Sequence, residues 1–355
     1  MKTVSRIISA AVFVLLLTLL MAFAKTSALV FTPIWQPFSE RILAVIGSVT
    51  GGVSFPVWEV IAALLLIWLV TSLIHAIRHL KLLRWLSGLL WGVCLGVLLF
   101  FLLWGAGLFL PAKTEHIVSV REYSAAELRE AALYYGEQAS ETAKLAPRDR
   151  DGNLLLPAWD ELSEEANTSF DKLSALYPEF SGDPVPVKPL FGGSVFRYLG
   201  AKGVFVPFTA EASADPGAYA AALPMTLCRT LAQRRGAYGA EDAEFCAFLA
   251  CERSDDPLFR YAADYAALMC CYRALRAQDE ALAAELWKSL PPLLQADILG
   301  ADAHEAPYQG KVQEAAQKVT DAYIAALEQQ GVRSYGKVSD ALIAWYQTRY
   351  QKTGN

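Results

Sequence analysis

Histidine is scarce in this chain, with 4 among 355 residues. Only His116 and His304 lie beyond residue 111, and they are too far apart in sequence for the His-x-x-x-His pair of a zinc-peptidase helix. Cysteine does not replace it, because the five cysteines beyond residue 111 show no C-x-x-C spacing. Two interpretations of these five cysteines remain open. They form disulfides, in which case at least one stays unpaired, or they are free and pack as small apolar side chains on helix faces. The counts exclude a His-based zinc helix in the larger part of the chain.

Charge is sparse as well, at 19% of residues, and the net charge is −5. The acidic residues concentrate after residue 112, where no basic stripe is found. Nucleic-acid binding depends on clustered Lys and Arg, so no nucleic-acid partner is expected. We also find no internal repeat and no low-complexity tract.

The first third is rich in long apolar runs. Each is near the roughly 20 residues that span a bilayer, which predicts three transmembrane helices at about 7–24, 56–74 and 86–110. Residues 1–111 are therefore expected to form a membrane domain whose partner is the lipid bilayer, with residues 25–55 as an outer loop. An alternative reads the first run as a cleaved signal peptide.

Orientation follows from the basic residues at the ends of these runs. Lys2 and Arg6 precede the first run, and Arg78, Lys81 and Arg84 lie between the second and third. Short basic segments stay in the cytoplasm, so residues 112–355 are expected to form an extracytoplasmic domain of a multi-pass membrane protein.

The most informative stretch runs from Leu223 to Cys251. Its periodicity predicts a helix from about Pro224 to Arg235, a turn at Gly236, and a second helix from near Glu241. The second helix directs Phe245, Phe248 and Leu249 inward, as helical spacing requires.

Three residues of the first helix occupy the spacing of a zinc-peptidase motif. In H-E-x-x-H the two histidines bind zinc and the glutamate is the general base. Arg229, Thr230 and Gln233 stand at these positions here. Arg is permanently cationic, Gln is a poor zinc ligand, and Thr is not a base near neutral pH. The alternative is an ordinary helix pair that never held a metal.

The segments LPMTLC, RRG and FCAFLAC resemble a bacterial membrane family of uncharacterised function, domain of unknown function 3810. Its members resemble L-P-x-T-x-C-H-E-x-A-H-Q-R-G, followed by an acidic helix. The resemblance implies a mostly α fold: three N-terminal transmembrane helices, then an α-rich, zincin-like domain with a short β-ribbon. It places Asp242 at the third zinc ligand. Since the histidines and the glutamate are replaced, a degenerate site without a cofactor is expected.

An ion pair between Arg229 and Asp242 is the expected substitute for the metal, because guanidinium binds carboxylate strongly. Glu241 and Glu244 are competing partners of Arg229.

Candidate binding residues come from two further segments that share the resemblance. Residues 203–215 predict a short strand that substrate could extend, and in it Ala210 replaces a glycine of the family's pattern. The alternative is a structural β-ribbon. The C-terminal segment places one cation and one phenol near a cleft, although packing or capping roles are the alternative. The candidates are Phe205, Phe208, Thr209, Glu211, Arg333 and Tyr335.

Together these features predict a membrane-anchored pseudo-metallopeptidase that binds a peptide or an envelope partner without hydrolysis. The alternatives are an active hydrolase that uses other residues, or a structural scaffold. An open cleft beside Arg229 favours binding, whereas a cleft filled by Arg229 favours a purely structural role.

Overall fold

The computed structural model describes residues 2–26, 28–329 and 338–353. The chain divides into two units. The first unit comprises Met1–Leu110 with Val206–Glu211, and the second comprises Pro111–Phe205 with Ala212–Asn355. Arg333 and Tyr335, two of the binding candidates, lie outside the described residues.

The first unit is helical, and two of its helices are long and apolar enough to cross a membrane. These are α3 (Val57–Arg78) and α4 (Leu82–Leu103). Within the described residues these two helices are the ones that qualify, where three spans were expected; in α1 (Lys2–Thr26) the stretch Ile8–Ala24 is apolar but shorter. The helices are α1 (Lys2–Thr26), α2 (Ala28–Gly51), α3 (Val57–Arg78) and α4 (Leu82–Leu103).

The expected outer loop at residues 25–55 is largely the helix α2, which corrects that prediction. Two polar side chains of α2 satisfy carbonyls at the C-terminal end of α4, where no intrahelical donor is available. The indole Nε1 of Trp35 donates to the Leu102 carbonyl at 2.6 Å, and the Ser39 hydroxyl donates to the Leu103 carbonyl. The last predicted span also ends earlier than expected, since a 3-10 turn at Gly105–Phe109 follows α4.

The second unit is mostly helical with a small sheet. In the sheet β3 (Glu211–Ala214) lies between β1 (Val187–Pro189) and β2 (Gly203–Val206), and β1 pairs with β3 in parallel, with Val187 opposite Ala212. These elements establish the mostly helical class, whereas a zincin-like arrangement stays a prediction. The elements are α5 (Ala125–Leu145), α6 (Trp159–Ser174), β1 (Val187–Pro189), α7 (Gly193–Tyr198), β2 (Gly203–Val206), β3 (Glu211–Ala214), α8 (Leu223–Arg234), α9 (Ala240–Glu252), α10 (Pro257–Gln278), α11 (Glu280–Ser289), α12 (Pro292–Glu305), α13 (Lys311–Gln329) and α14 (Val338–Thr353).

Helix α9 is the centre of the second unit. Every residue from Phe245 to Cys251 is buried, and α6, α8, α10 and α14 all pack against it. A helix that is apolar on all sides is stable in water only when it is enclosed in this way. Burial of its aromatic side chains therefore holds the surrounding helices together.

A buried ion pair fixes the turn that precedes α6. The guanidinium of Arg148 donates to both carboxylate oxygens of Asp297, at 2.9 and 2.6 Å. The hydroxyl of Tyr261 donates to the same carboxylate. Both carboxylate oxygens of Asp297 accept hydrogen bonds from Arg148. A buried salt bridge with this geometry can fix the relative position of segments that are distant in sequence.

Asp264 on α10 predicts a pH-dependent stability. Burial raises the pKa of this carboxyl to about 7, against the lowering effect of a hydrogen bond from Thr142 at 3.0 Å. Because the folded pKa is raised, the stabilising contribution is complete near pH 4 and is lost as the pH rises through about 7.

We expect Asp264→Asn to flatten that decline by about 2 kcal/mol between pH 5 and pH 8. The measurement is chemical unfolding of the full-length protein in detergent across this range. Asp151→Asn, in an exposed turn, is the matched control and should leave the profile unchanged. Equal pH profiles for wild type and Asp264→Asn would contradict the assignment.

Candidate functional site

A cavity of about 650 Å³ opens within the second unit. It lies between α8, α9, α10 and α12, beside the beginning of α14. Its wall is mixed, with apolar side chains such as Met225, Phe248 and Met269 next to charged groups of both signs. The charged side chains are Lys202, Arg229, Glu244, Arg273, Asp302 and Glu305.

Arg229 projects from α8 to the edge of this cavity. Its Nε lies 3.5 Å from a carboxylate oxygen of Glu244 on α9, and its Nη2 donates to the Gly203 carbonyl of β2 at 3.2 Å. The predicted ion pair with Asp242 is therefore wrong, and the competing partner Glu244 takes its place. The Arg229 side chain lies along the wall of the cavity and does not fill it.

Glu244 lies deep within the second unit but faces the cavity, where 37% of its side chain is accessible to solvent. Desolvation raises the pKa of this carboxyl, and the neighbouring Arg229 acts in the opposite direction. A carboxylate in such a place is stabilised by the adjacent cation, so the two side chains depend on each other.

Asp242 serves the local structure. Its carboxylate accepts hydrogen bonds from the Thr114 amide at 2.9 Å, the Thr114 hydroxyl at 2.7 Å and the Lys113 amide at 3.2 Å. These donors belong to the short 3-10 turn Lys113–His116, whose first amides need an acceptor. Asp242 therefore anchors the beginning of the second unit to α9.

The remaining positions of the degenerate motif do not face the cavity. Thr230 is fully buried, and its hydroxyl donates to the Leu227 carbonyl of its own helix at 2.9 Å. Gln233 is half-buried and does not line the cavity. Arg229 is a cation, the Thr230 hydroxyl is hydrogen-bonded within its own helix, and Asp242 is hydrogen-bonded to the turn at Lys113. These residues therefore do not fit a zinc ion. Among the described residues no group of His, Cys, Asp and Glu has the arrangement of a metal site.

A second ion pair, which sequence reasoning missed, lines the same cavity. The Lys202 ammonium lies 2.9 Å from the Glu305 carboxylate, and both side chains are mostly buried. Arg273 and Asp302 also reach the cavity and form no ion pair with the described residues. Lys202 and Glu305 lie about a hundred residues apart in the printed sequence, and neither belongs to a motif, so no sequence signal could have brought them together.

The strand candidates are placed elsewhere. None of Phe205, Phe208, Thr209 and Glu211 lines the cavity. Phe205 is buried in β2, and Phe208 is about half exposed. Glu211 is buried in the first unit, where its two carboxylate oxygens accept from the amides of Val57 and Trp58 at 2.9 and 2.8 Å.

Glu211 therefore caps the N terminus of α3. A carboxylate at that end is favoured both by the unsatisfied amides and by the helix dipole. In the same unit the carbonyl of Thr209 accepts from the Thr50 hydroxyl at 2.9 Å. These contacts give the two residues structural partners.

The described residues form a mostly helical protein with two apolar helices near its N terminus that could span a membrane. The family described as Protein of unknown function (DUF3810) matches residues 36–343, and the chain belongs to that family. No curated protein and no solved structure matches the chain.

Gly203 predicts a tight contact between β2 and α8. A Cβ at this position would lie 2.8 Å from the Thr226 methyl, 2.9 Å from the Thr230 methyl and 3.0 Å from the Ser213 carbonyl. We expect Gly203→Ala to lower the free energy of unfolding by about 1–3 kcal/mol, because the added Cβ forces the backbone of β2 or the helix α8 to move. Thermal unfolding of the full-length protein measures this.

The control for that substitution is Gly182→Ala, whose Cβ would meet nothing closer than 3.4 Å. Thr230→Ser should partly restore the stability of Gly203→Ala by removing one of the two methyl groups. Equal stability of Gly203→Ala and wild type would show that the strand does not lie this close to the helix.

The Arg229–Glu244 pair predicts a coupling that a double-mutant cycle can measure. Arg229→Met leaves a deep carboxylate without its cation, so stability should fall by about 1 kcal/mol, an amount discounted for the solvent in the cavity. The loss should grow as the pH rises, because the unpaired carboxyl favours its protonated form. Adding Glu244→Gln should recover most of the loss, and additive effects of the two changes would contradict the pairing.

Proposed function

We propose that this protein is a membrane-anchored binding protein, related to zinc peptidases but without their chemistry, which holds a short peptide in the cavity of its second unit. The observation that carries the proposal is the open space beside Arg229. Its volume of about 650 Å³ lies within the range of small-ligand pockets, roughly 300–1,000 Å³. Arg229 contacts Glu244 and Gly203 instead of filling that space.

The wall chemistry supports a peptide as the ligand. A short peptide carries an ammonium, a carboxylate and apolar side chains within a few residues. The cavity has acidic side chains that can bind the ammonium, cationic side chains that can bind the carboxylate, and apolar side chains that can contact those of the peptide. Arg273 and Asp302 form no ion pair with the described residues, so they could engage a charged ligand without breaking an internal bond.

The membrane part of the proposal rests on α3 and α4 and on the basic turn that joins them. Lys81 and Arg84 favour a cytoplasmic turn, which directs the chain after α4 to the opposite side. The second unit would then act outside the cytoplasm, where peptides and envelope components are accessible.

Two observations favour binding over the alternatives. Cys270 lines the cavity, but burial raises its pKa to about 11, so little thiolate is available near neutral pH for nucleophilic attack. The second observation is that Arg229 lies beside the cavity without filling it, which supports binding over a purely structural role. Hydrolysis and a purely structural role are therefore the less supported functions.

The test is to reduce the cavity volume and measure peptide binding. Ala266 lines the cavity on α10, so Ala266→Phe should place a ring in the ligand space and weaken binding at least about tenfold. The probes are tripeptides with free termini, titrated by calorimetry into the full-length protein in detergent. Ala126→Phe, on an exposed face of α5, is the control and should bind as wild type does.

Failure of every tripeptide to bind at millimolar concentration would contradict the proposal, as would unchanged binding by Ala266→Phe. Recovered peptides are examined by mass spectrometry after incubation. Cleavage by the wild type and not by Ala266→Phe would replace the binding function with hydrolysis.

A further inference from the structure

A second pocket lies within the first unit, at the turn between α3 and α4. Its volume is about 590 Å³, and it is a shallow depression that is largely open. The polar and basic groups stand at the end of two apolar helices, flanked by two tryptophans. The lining residues are Trp68, Thr71, Ser72, His75, Ala76, Lys81, Arg84 and Trp85.

The pocket carries positive charge without a nearby compensating acid in the sequence. The printed sequence holds no Asp or Glu between Glu59 and Glu115. Lys81 and Arg84 are exposed and form no ion pair with the described residues. Unpaired cations around a concave space attract an anion.

The backbone adds to this attraction. Helix α4 begins at Leu82, directly after Lys81, and no side chain caps its first turn. The unsatisfied amides and the positive end of the helix dipole therefore lie at the same turn as Lys81 and Arg84. A phosphate is the anion that such a combination of amides and cations commonly binds.

The pocket is held in shape by contacts across the two helices. The indole Nε1 of Trp85 on α4 donates to the Ser72 hydroxyl on α3 at 2.9 Å. The Ser72 hydroxyl in turn donates to the Leu69 carbonyl at 3.0 Å. The wall is thus formed before any ligand binds, which lowers the cost of ordering it.

Above the pocket, α3 is exposed and apolar. Leu64, Leu65, Leu66 and Ile67 are each about 60% accessible, and Trp68 adds an amphipathic ring at the pocket itself. Tryptophan at this level and apolar residues beyond it match the headgroup and acyl regions of a bilayer. A free phosphate would use only the basic end of this surface, whereas a phospholipid would use all of it.

We propose that this pocket binds the phosphate headgroup of an anionic phospholipid, with the acyl chains along the exposed face of α3. Lys81 and Arg84 contact the phosphate, and the Thr71 and Ser72 hydroxyls and the His75 ring lie beside the headgroup. The proposal relies on the membrane placement of α3 and α4 and is independent of the peptide cavity. Basic pockets between helices on the cytoplasmic side are recognised sites for such headgroups.

The experiment is native mass spectrometry of the full-length protein purified with an equimolar mixture of phosphatidylglycerol and phosphatidylcholine. We expect phosphatidylglycerol to be retained in preference to phosphatidylcholine. Arg84→Gln and Lys81→Gln should each lower that preference about fivefold. Arg78→Gln is the matched control, because Arg78 is exposed on the same turn but does not line the pocket, and it should change the preference less than twofold.

Equal retention of the two lipids would overturn the proposal, and so would equal losses in Arg78→Gln and Arg84→Gln, which would indicate general surface attraction. A parallel titration with inorganic phosphate separates the two sources of phosphate. Displacement of retained lipid by millimolar phosphate would show a site for a soluble anion instead. None of these outcomes depends on tripeptide binding, so failure of either proposal leaves the other intact.

Discussion

The enclosure of α9 is the constraint on which the second unit depends. Its residues from Phe245 to Cys251 have essentially no surface, so every polar group near them needs a partner inside the protein. Asp242 finds its partners in the turn that begins the unit, and Glu244 finds Arg229 on α8. The two carboxylates stand two positions apart on one helix and therefore point in different directions. Asp242 holds the turn at which the second unit begins, and Glu244 forms one edge of the cavity.

The position of α8 follows from the same constraint. Because α9 is enclosed, α8 must lie against it, and β2 must approach α8 closely enough for Gly203 to fit between two threonine methyl groups. The Gly203 carbonyl then becomes the second acceptor for Arg229. An ion pair and a strand carbonyl thus join three elements at the Arg229 side chain. The cavity persists because this side chain is engaged along the wall.

Local features could be predicted from the sequence, since they depend on neighbouring residues. The bounds of α8 and the beginning of α9 agree with expectation to within a residue. The partner of Arg229 could not be predicted, because Asp242 and Glu244 differ only in the rotation of α9 about its axis, which packing decides.

Contacts between residues far apart in the chain, and the helix within residues 25–55, could not be predicted from the sequence either. Lys202 and Glu305 meet only after several helices have packed. Residues 25–55 contain Pro33 and Pro37, which favour a loop, yet contacts with the end of α4 stabilise a helix there. Tertiary contacts commonly override such local preferences.

Two ion pairs of the second unit show how geometry separates structure from function. Arg148 and Asp297 are bidentate, short and almost fully buried, so breaking them would leave a charge without solvent. Arg229 and Glu244 are 3.5 Å apart, longer than a strong charge-assisted hydrogen bond, and both side chains reach the cavity. A ligand carboxylate could replace Glu244 as the partner of Arg229 while water or a ligand ammonium serves Glu244. The looser pair can therefore exchange partners at small cost, which suits the wall of a binding site, whereas the tight pair can only hold the fold.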